Sequence, residues 1–170
     1  MEILGSILSK ISSYNILNYM IPGAVGFIVI DKILGYRAIE LWPTYLICIA
    51  IYFIGLGFNR IGSLLVEPCY RKFKFVEYAT YEDYVAAESK DSKLIVLSEV
   101  NNAYKTYTAE FLTMFIAILI IDVYSEVNLC CDLGRIILTF GLFVLFSYSY
   151  IKQTTYIRRR VRKVIVKDKT

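Results

Sequence analysis

Two long apolar runs without Lys or Arg, residues 107–124 and 136–151, constrain this chain more than any other feature. Two further apolar stretches lie upstream, at residues 16–34 and 42–58. A helix needs about 17–25 mostly apolar residues to cross the hydrocarbon core of a bilayer. Only helices and closed barrels satisfy every backbone donor and acceptor there. The runs are continuous rather than alternating, which excludes barrel strands. Hydrophobic residues make up 57% of the 170, and the mean hydropathy of +0.54 exceeds what a soluble chain of this size buries. The expected fold is all-α: a four-helix transmembrane bundle with helices extending into a small cytoplasmic helical region.

Four spans divide the chain. Residues 1–58 hold an N-terminal amphipathic segment and the first two spans. Residues 59–106 form a cytoplasmic helical region, 107–151 the last two spans, and 152–170 a basic tail. In the N-terminal segment Leu4, Ile7, Leu8 and Ile11 recur at helical spacing between polar residues, as in a helix lying on a membrane surface. It lacks the features of a signal peptide.

Charge orients the spans. Positive residues collect on the cytoplasmic side. Lys10, seven basic residues in 59–106 and eight in 152–170 put sixteen on one side, against Lys32, Arg37 and Arg135 on the other. Both termini and the middle region are therefore expected in the cytoplasm of a bacterial cell, with the protein multi-pass in the inner membrane. The 125–134 hairpin, with adjacent Cys130 and Cys131, is expected outside.

Composition removes several chemistries. His is absent, which excludes His-based triads, His general acids and most zinc sites. The four Cys show no CxxC spacing, so neither metal nor cofactor is expected. No activated nucleophile or carboxylate-rich cluster stands out, and an enzyme is the least favoured class.

Several residues invite functional readings. Asn15 and Asn18 enter the first span, and Pro22-Gly23 interrupt it, as in a hinge or pore-lining stretch. Glu110 lies just inside the third span, where a carboxylate lines a cation path or pairs with Arg60 or Lys152. Arg71, Lys72 and Lys74 alternate with Phe73 and Phe75, a pattern suited to lipid headgroups or a nucleotide. Arg158, Arg159, Arg160, Arg162 and Lys163 are dense enough to attract anionic lipid or nucleic acid. Leu94, Leu97, Asn101 and Tyr104 open a seam at steps of three and four, read as an oligomer interface or as packing within one subunit. A helix over 92–124 is expected, capped by Ser92. The second span is expected to project to about Val66, ending before Pro68. Thr80 with Asp83 reads as a helix cap.

Short strings carry a resemblance. Tyr14-Asn15-Ile16-Leu17-Asn18-Tyr19 with Pro22-Gly23, Tyr84-Val85-x-Ala87, Asp91-x-Lys93 and Leu97-Ser98-Glu99-x-Asn101-Asn102-x-Tyr104-Lys105-Thr106 resemble small bacterial membrane proteins encoded beside antiphage signalling genes. These are the membrane effectors of Hailong defence systems and, more distantly, the accessory membrane proteins of type VI CRISPR loci. The resemblance implies an oligomeric pore that disturbs the membrane once infection is sensed. A nuclease-like Arg…His motif discussed for the CRISPR group has no counterpart here, since the chain has no His.

The expected function is a homo-oligomeric gated ion channel or pore-forming effector, regulated by a nucleotide or single-stranded oligonucleotide. The alternative is a membrane anchor that recruits a soluble defence partner through residues 70–106. The expected partners are the lipid bilayer and further copies of the chain. A membrane-impermeant thiol reagent added from outside should label Cys130 or Cys131 and spare Cys69; labelling of Cys69 from outside would overturn the topology.

Overall fold

A computed structural model of the chain describes residues 15–34, 37–124 and 129–167. The amphipathic helix expected over residues 1–14 lies outside them, as do residues 125–128 of the expected hairpin. The described residues are helical with turns and short links, and no strand occurs among them. Three helical stretches, Thr44–Lys72, Lys93–Asp122 and Leu133–Val166, are long and apolar enough to cross a membrane.

The two prolines inside helices share one local arrangement. A π segment, Ile16–Met20 (π1), leads into helix α1, Ile21–Leu34. A short helix α2, Ala38–Leu41, comes next, and then α3, Thr44–Ile61. A second π segment, Gly62–Val66 (π2), joins α3 to α4, Glu67–Lys72. After each π segment the next residue donates its N–H five residues back, Ile21 to Ile16 and Glu67 to Gly62, and a proline comes immediately afterwards. Proline has no N–H, and in an α-helix its ring collides with the carbonyl four residues earlier. The extra residue of a π turn moves that carbonyl aside. Two expectations change accordingly. Pro22 and Gly23 do not interrupt the first apolar stretch, which stays helical to Leu34, and the helix that begins at Thr44 continues past Val66 and Pro68 to Lys72.

α1 and α3 lie backbone to backbone. A Cβ on Gly23 would sit 1.8 Å from the Ile51 carbonyl oxygen, and one on Gly55 would sit 1.8 Å from that of Tyr19. Only glycine permits this approach, so Gly23 and Gly55 serve close helix packing.

Beyond α4 the chain turns into α5, Tyr81–Glu88, where the Thr80 hydroxyl accepts the Asp83 N–H at 3.2 Å, as expected of that pair. Helix α6, Lys93–Tyr124, runs 32 residues, about 48 Å. The acceptor at its start is Asp91, which takes the Lys93 N–H at 3.2 Å in place of the expected Ser92. Helix α7, Leu129–Lys167, runs 39 residues, about 58 Å. Cys130, Cys131 and Gly134 therefore belong to its first turns and not to a loop.

α6 and α7 pack antiparallel along most of their length. Within the apolar part, Tyr104, Tyr107 and Phe111 surround Phe146, and Phe115 meets Phe140. Toward the start of α6 and the end of α7, Leu94 is fully buried with Ala87, Ile157 and Val161, and Leu97 packs against them. Asn101 accepts from the Thr154 hydroxyl at 3.0 Å. The seam residues Leu94, Leu97, Asn101 and Tyr104 thus face α7 of their own chain, whose long extension brings Ile157 and Val161 to them.

The two glycines of α3 make a clean comparison, because a Cβ on Gly57 meets nothing within 4 Å. Gly55→Ala should lower the melting temperature in detergent through overpacking worth about 1–3 kcal/mol. Gly57→Ala should leave it unchanged or slightly raised.

Candidate functional site

A row of polar side chains runs along α6 from its polar first half into its apolar half. Lys105, Thr106, Thr108 and Glu110 are all buried. Lys105 Nζ donates to Glu67 Oε2 of α4 at 2.9 Å. Thr106 Oγ1 accepts from Asn59 Nδ2 of α3 at 3.0 Å and donates to the Asn102 carbonyl. Thr108 donates to the Tyr104 carbonyl at 2.8 Å. From π1, Asn18 reaches the Glu99 carbonyl, and Tyr107 donates to the Leu17 carbonyl at 3.0 Å. Glu110 closes the row. Its side chain is wholly buried, and neither carboxylate oxygen has a hydrogen-bond partner among the described residues. The expected pairing with Arg60 or Lys152 does not form, because both cations are exposed while Glu110 points inward.

Of the hinge or pore candidates, Asn18 and Pro22 are buried beside α6, and Asn15 is half-buried at the start of π1. The fold brings Asn18 and α6 together through a direct contact and leaves Glu110 deeper in the bundle.

A tyrosine-rich network ties α4 and α5 to α6 and α7. Tyr78 and Tyr150 share a hydroxyl–hydroxyl bond at 2.5 Å, and Tyr70 donates to Ser147 at 2.8 Å. The Tyr84 hydroxyl bonds Ser98 at 2.7 Å. Burial pushes the Tyr78 hydroxyl up to about 12, against the lowering effect of its bond with Tyr150. Burial also raises Tyr84. These tyrosines stay neutral donors across the physiological range.

The network frames a cavity of about 410 Å³ whose lining includes Glu67, Arg71, Tyr78, Tyr84, Asn101 and Arg158. Two guanidinium groups, one carboxylate and several aromatic faces suit a small amphipathic anion. A second cavity of about 480 Å³ is lined by Asp91, Tyr156, Arg159, Arg160, Lys163 and Val164. Among the described residues, no group of three His, Cys, Asp or Glu side chains is placed to hold a metal.

The basic candidates therefore separate. Arg71 and Arg158 meet in the first cavity, and Arg159, Arg160 and Lys163 meet in the second. Arg162 lines a third with Arg158, while Lys72 and Lys74 line none of these. Two tail arginines are engaged within the chain. Arg158 pairs with Glu77, and Arg160 grips Asp91 through Nε at 2.6 Å and Nη2 at 3.2 Å. Arg71 stands over the Tyr78 ring at 5.6 Å.

Sequence reading missed the tyrosine network, the Asn59–Thr106 bond and the Lys105–Glu67 pair. Only Asn59, an amide closing an apolar helix, gave a local signal. Comparison with known proteins finds no matching family model, no similar curated protein and no similar solved structure.

The Arg160 guanidinium holds the Asp91 carboxyl below its ordinary value of 3.8. A depressed acid stabilises the fold fully above the unfolded value and loses that contribution as pH falls through the folded one. Thermal unfolding in detergent should therefore show an acid-side loss beginning near pH 4 and continuing downward, to which Asp91 contributes. In Asp91→Asn that share of the pH dependence should vanish, with a lower melting temperature already at neutral pH.

Proposed function

We propose that the chain is the subunit of a homo-oligomeric gated ion channel, a membrane effector of bacterial antiphage defence. In this reading four helices span the inner membrane, the stretch of π1 and α1 being the fourth, and both termini lie in the cytoplasm. The observation that carries it is Glu110. A carboxylate buried in a spanning helix without a partner is costly, and such groups mark ion paths or contacts between helices. What completes it lies outside a single chain: a permeating cation or a donor from another copy. Helix α7 supports self-association, because only 6% of its apolar window is buried within the chain.

A regulatory ligand fits the cytoplasmic cavities. A nucleotide or single-stranded oligonucleotide offers phosphates to Arg71 and Arg158, or to Arg159 and Lys163, and bases to the tyrosine faces. Because α6 and α7 run unbroken from these cavities into the apolar region, a ligand that prefers one arrangement of their cytoplasmic ends shifts the spanning parts with it.

The alternative reading is a membrane anchor that presents residues 70–106 to a soluble defence partner. The clamping of α5 to the rest of the chain favours it: Glu77 and Asp91 flank the helix and are held by Arg158 and Arg160, leaving Tyr81 turned outward.

Ion flux into liposomes separates the two. Purified wild-type protein should conduct, and Glu110→Gln should lower cation over anion selectivity by about tenfold or abolish flux while leaving insertion and oligomeric size unchanged. Equal flux and selectivity in Glu110→Gln would remove Glu110 from the ion path. Absence of wild-type flux with and without short oligonucleotides would favour the anchor.

A further inference from the structure

The segment from π2 to the turn after α4 does not continue straight down the bundle. Asn59 meets α6 at Thr106, and from Asn59 to Tyr70 the helix rises about 16 Å. If it ran alongside α6, Tyr70 would stand level with Ile95, beyond the point where Gln153 donates to the Leu97 carbonyl. Tyr70 instead bonds Ser147, and its ring lies 5.9 Å from that of Tyr150. Both belong to the stretch of α7 that faces residues 101–111 of α6, as Asn101–Thr154 and Phe111–Phe146 fix the register. Glu67 likewise meets Lys105. Gly62–Lys72 therefore crosses the bundle at one level, the level at which the apolar halves of α6 and α7 begin. The π2 segment lies at the start of this stretch.

The two faces of this crossing helix differ in an unusual sense. Gly62, Val66 and Tyr70, four residues apart, turn toward the bundle. The opposite face shows Leu64, Leu65, Pro68 and Cys69, with the two leucines 71% and 65% exposed. Water does not select an apolar outer face. The helix then closes in a Schellman turn, with Phe75 N–H donating to the Tyr70 carbonyl and Lys74 N–H to that of Arg71. The left-handed position, where glycine is usual, holds Lys74 at φ 59. Strain at such a position points to a use for the side chain. Phe73 and Phe75 flank it, both exposed, with ring centroids 6.1 Å apart. Lys72 and Lys74 are exposed, and neither forms an ion pair among the described residues.

We propose that residues 62–75 form an in-plane interfacial segment. It seats Leu64, Leu65, Phe73 and Phe75 below the headgroups of the leaflet nearest the basic regions, and Lys72 and Lys74 bind anionic lipid headgroups there. The apolar outer face, its level across the bundle and the cations at its end are what an interfacial helix requires. A second copy packed on the same face would bring the lysines of two chains near one another, which disfavours that occupant. The inference rests on the membrane reading alone and not on conduction.

Cys69, exposed on the outer face, provides the probe site. The protein carrying Cys48→Ser, Cys130→Ser and Cys131→Ser is labelled at Cys69 with the fluorophore NBD. It is then reconstituted in vesicles of phosphatidylcholine and phosphatidylglycerol. A control carries the label at Tyr81→Cys with Cys69→Ser, since Tyr81 is 82% exposed on α5. Emission from position 69 should be blue-shifted and quenched by lipids brominated near the headgroup, while position 81 should stay aqueous and unquenched. Lys72→Gln with Lys74→Gln should lower the preference for spin-labelled phosphatidylglycerol over phosphatidylcholine by about fivefold and leave the quenching at 69 in place. Equal aqueous emission from 69 and 81 would overturn the proposal. So would disulfide cross-linking between chains through Cys69 without bromine quenching, which would assign the face to a second copy. An unchanged lipid preference in the double variant would overturn the role of the lysines.

Discussion

Pairing of α6 with α7 is the interaction on which the rest of this chain depends. Inside a bilayer the lipid tails are as apolar as the side chains, so no hydrophobic force drives two spanning helices together. The pair is secured instead by aromatic packing around Phe146 and, beyond the apolar region, by burial that water does drive. Leu94, Ile157 and Val161 form a small core with Ala87 at that end of the pair. The remaining elements attach to this pair: α3 through Asn59 and Thr106, α4 through Glu67 and Lys105, and π1 through Tyr107 and the Leu17 carbonyl. A helix pair anchored at its wet end has one firm region and one region held by packing alone.

The parts of the fold legible in the sequence are those set by local pattern. The long helix α6 was readable because no Gly or Pro breaks it and its start is marked by polar residues. The projection of α7 was readable from the polar residues that continue its helical run past Ser147. The Thr80–Asp83 cap needed only a four-residue window. What stayed hidden depends on elements distant in sequence. The seam of Leu94, Leu97, Asn101 and Tyr104 looks the same whether it meets a second chain or α7, and only the placement of Ile157 and Val161 decides. The contacts of Tyr78, Tyr84 and Tyr150 span as many as 72 residues of sequence and leave no spacing signature. Of the candidate site, the basic residues and Glu110 were legible by type, but their grouping into separate cavities was not.

The prolines show how a correct local rule reaches a wrong boundary. A proline in an α-helix removes one bond and crowds one carbonyl, which argues for a helix end at Val66. Both consequences come from the same carbonyl, four residues back. One inserted residue moves it, so the helix survives at Pro22 and again at Pro68. A π turn also changes the direction and the face of the helix beyond it. The π1 segment carries Asn18 against α6, and beyond π2 the Glu67 carboxylate meets Lys105, so side chains on both sides of the prolines reach α6.

The basic tail illustrates the opposite error, in which composition overstates what is available. Arg158, Arg159, Arg160, Arg162 and Lys163 read as one block of charge, yet a helix turns about 100° per residue and distributes them around its circumference. Arg158 and Arg162 share a side, Arg159 and Lys163 share another, and Arg160 lies on a third, beyond Arg159 and Lys163. Glu77 and Asp91 then neutralise Arg158 and Arg160, because the links before and after α5 reach those sides. The cations exposed to an incoming anion are Arg159, Arg162 and Lys163, and of these Arg159 and Lys163 border the larger cavity. An anion bound there would compete with Asp91 for Arg160. Since Asp91 also holds the first turn of α6 through the Lys93 N–H, that competition acts directly on the end of the long helix. Charge at the tail and the position of α6 are thereby joined through a single carboxylate.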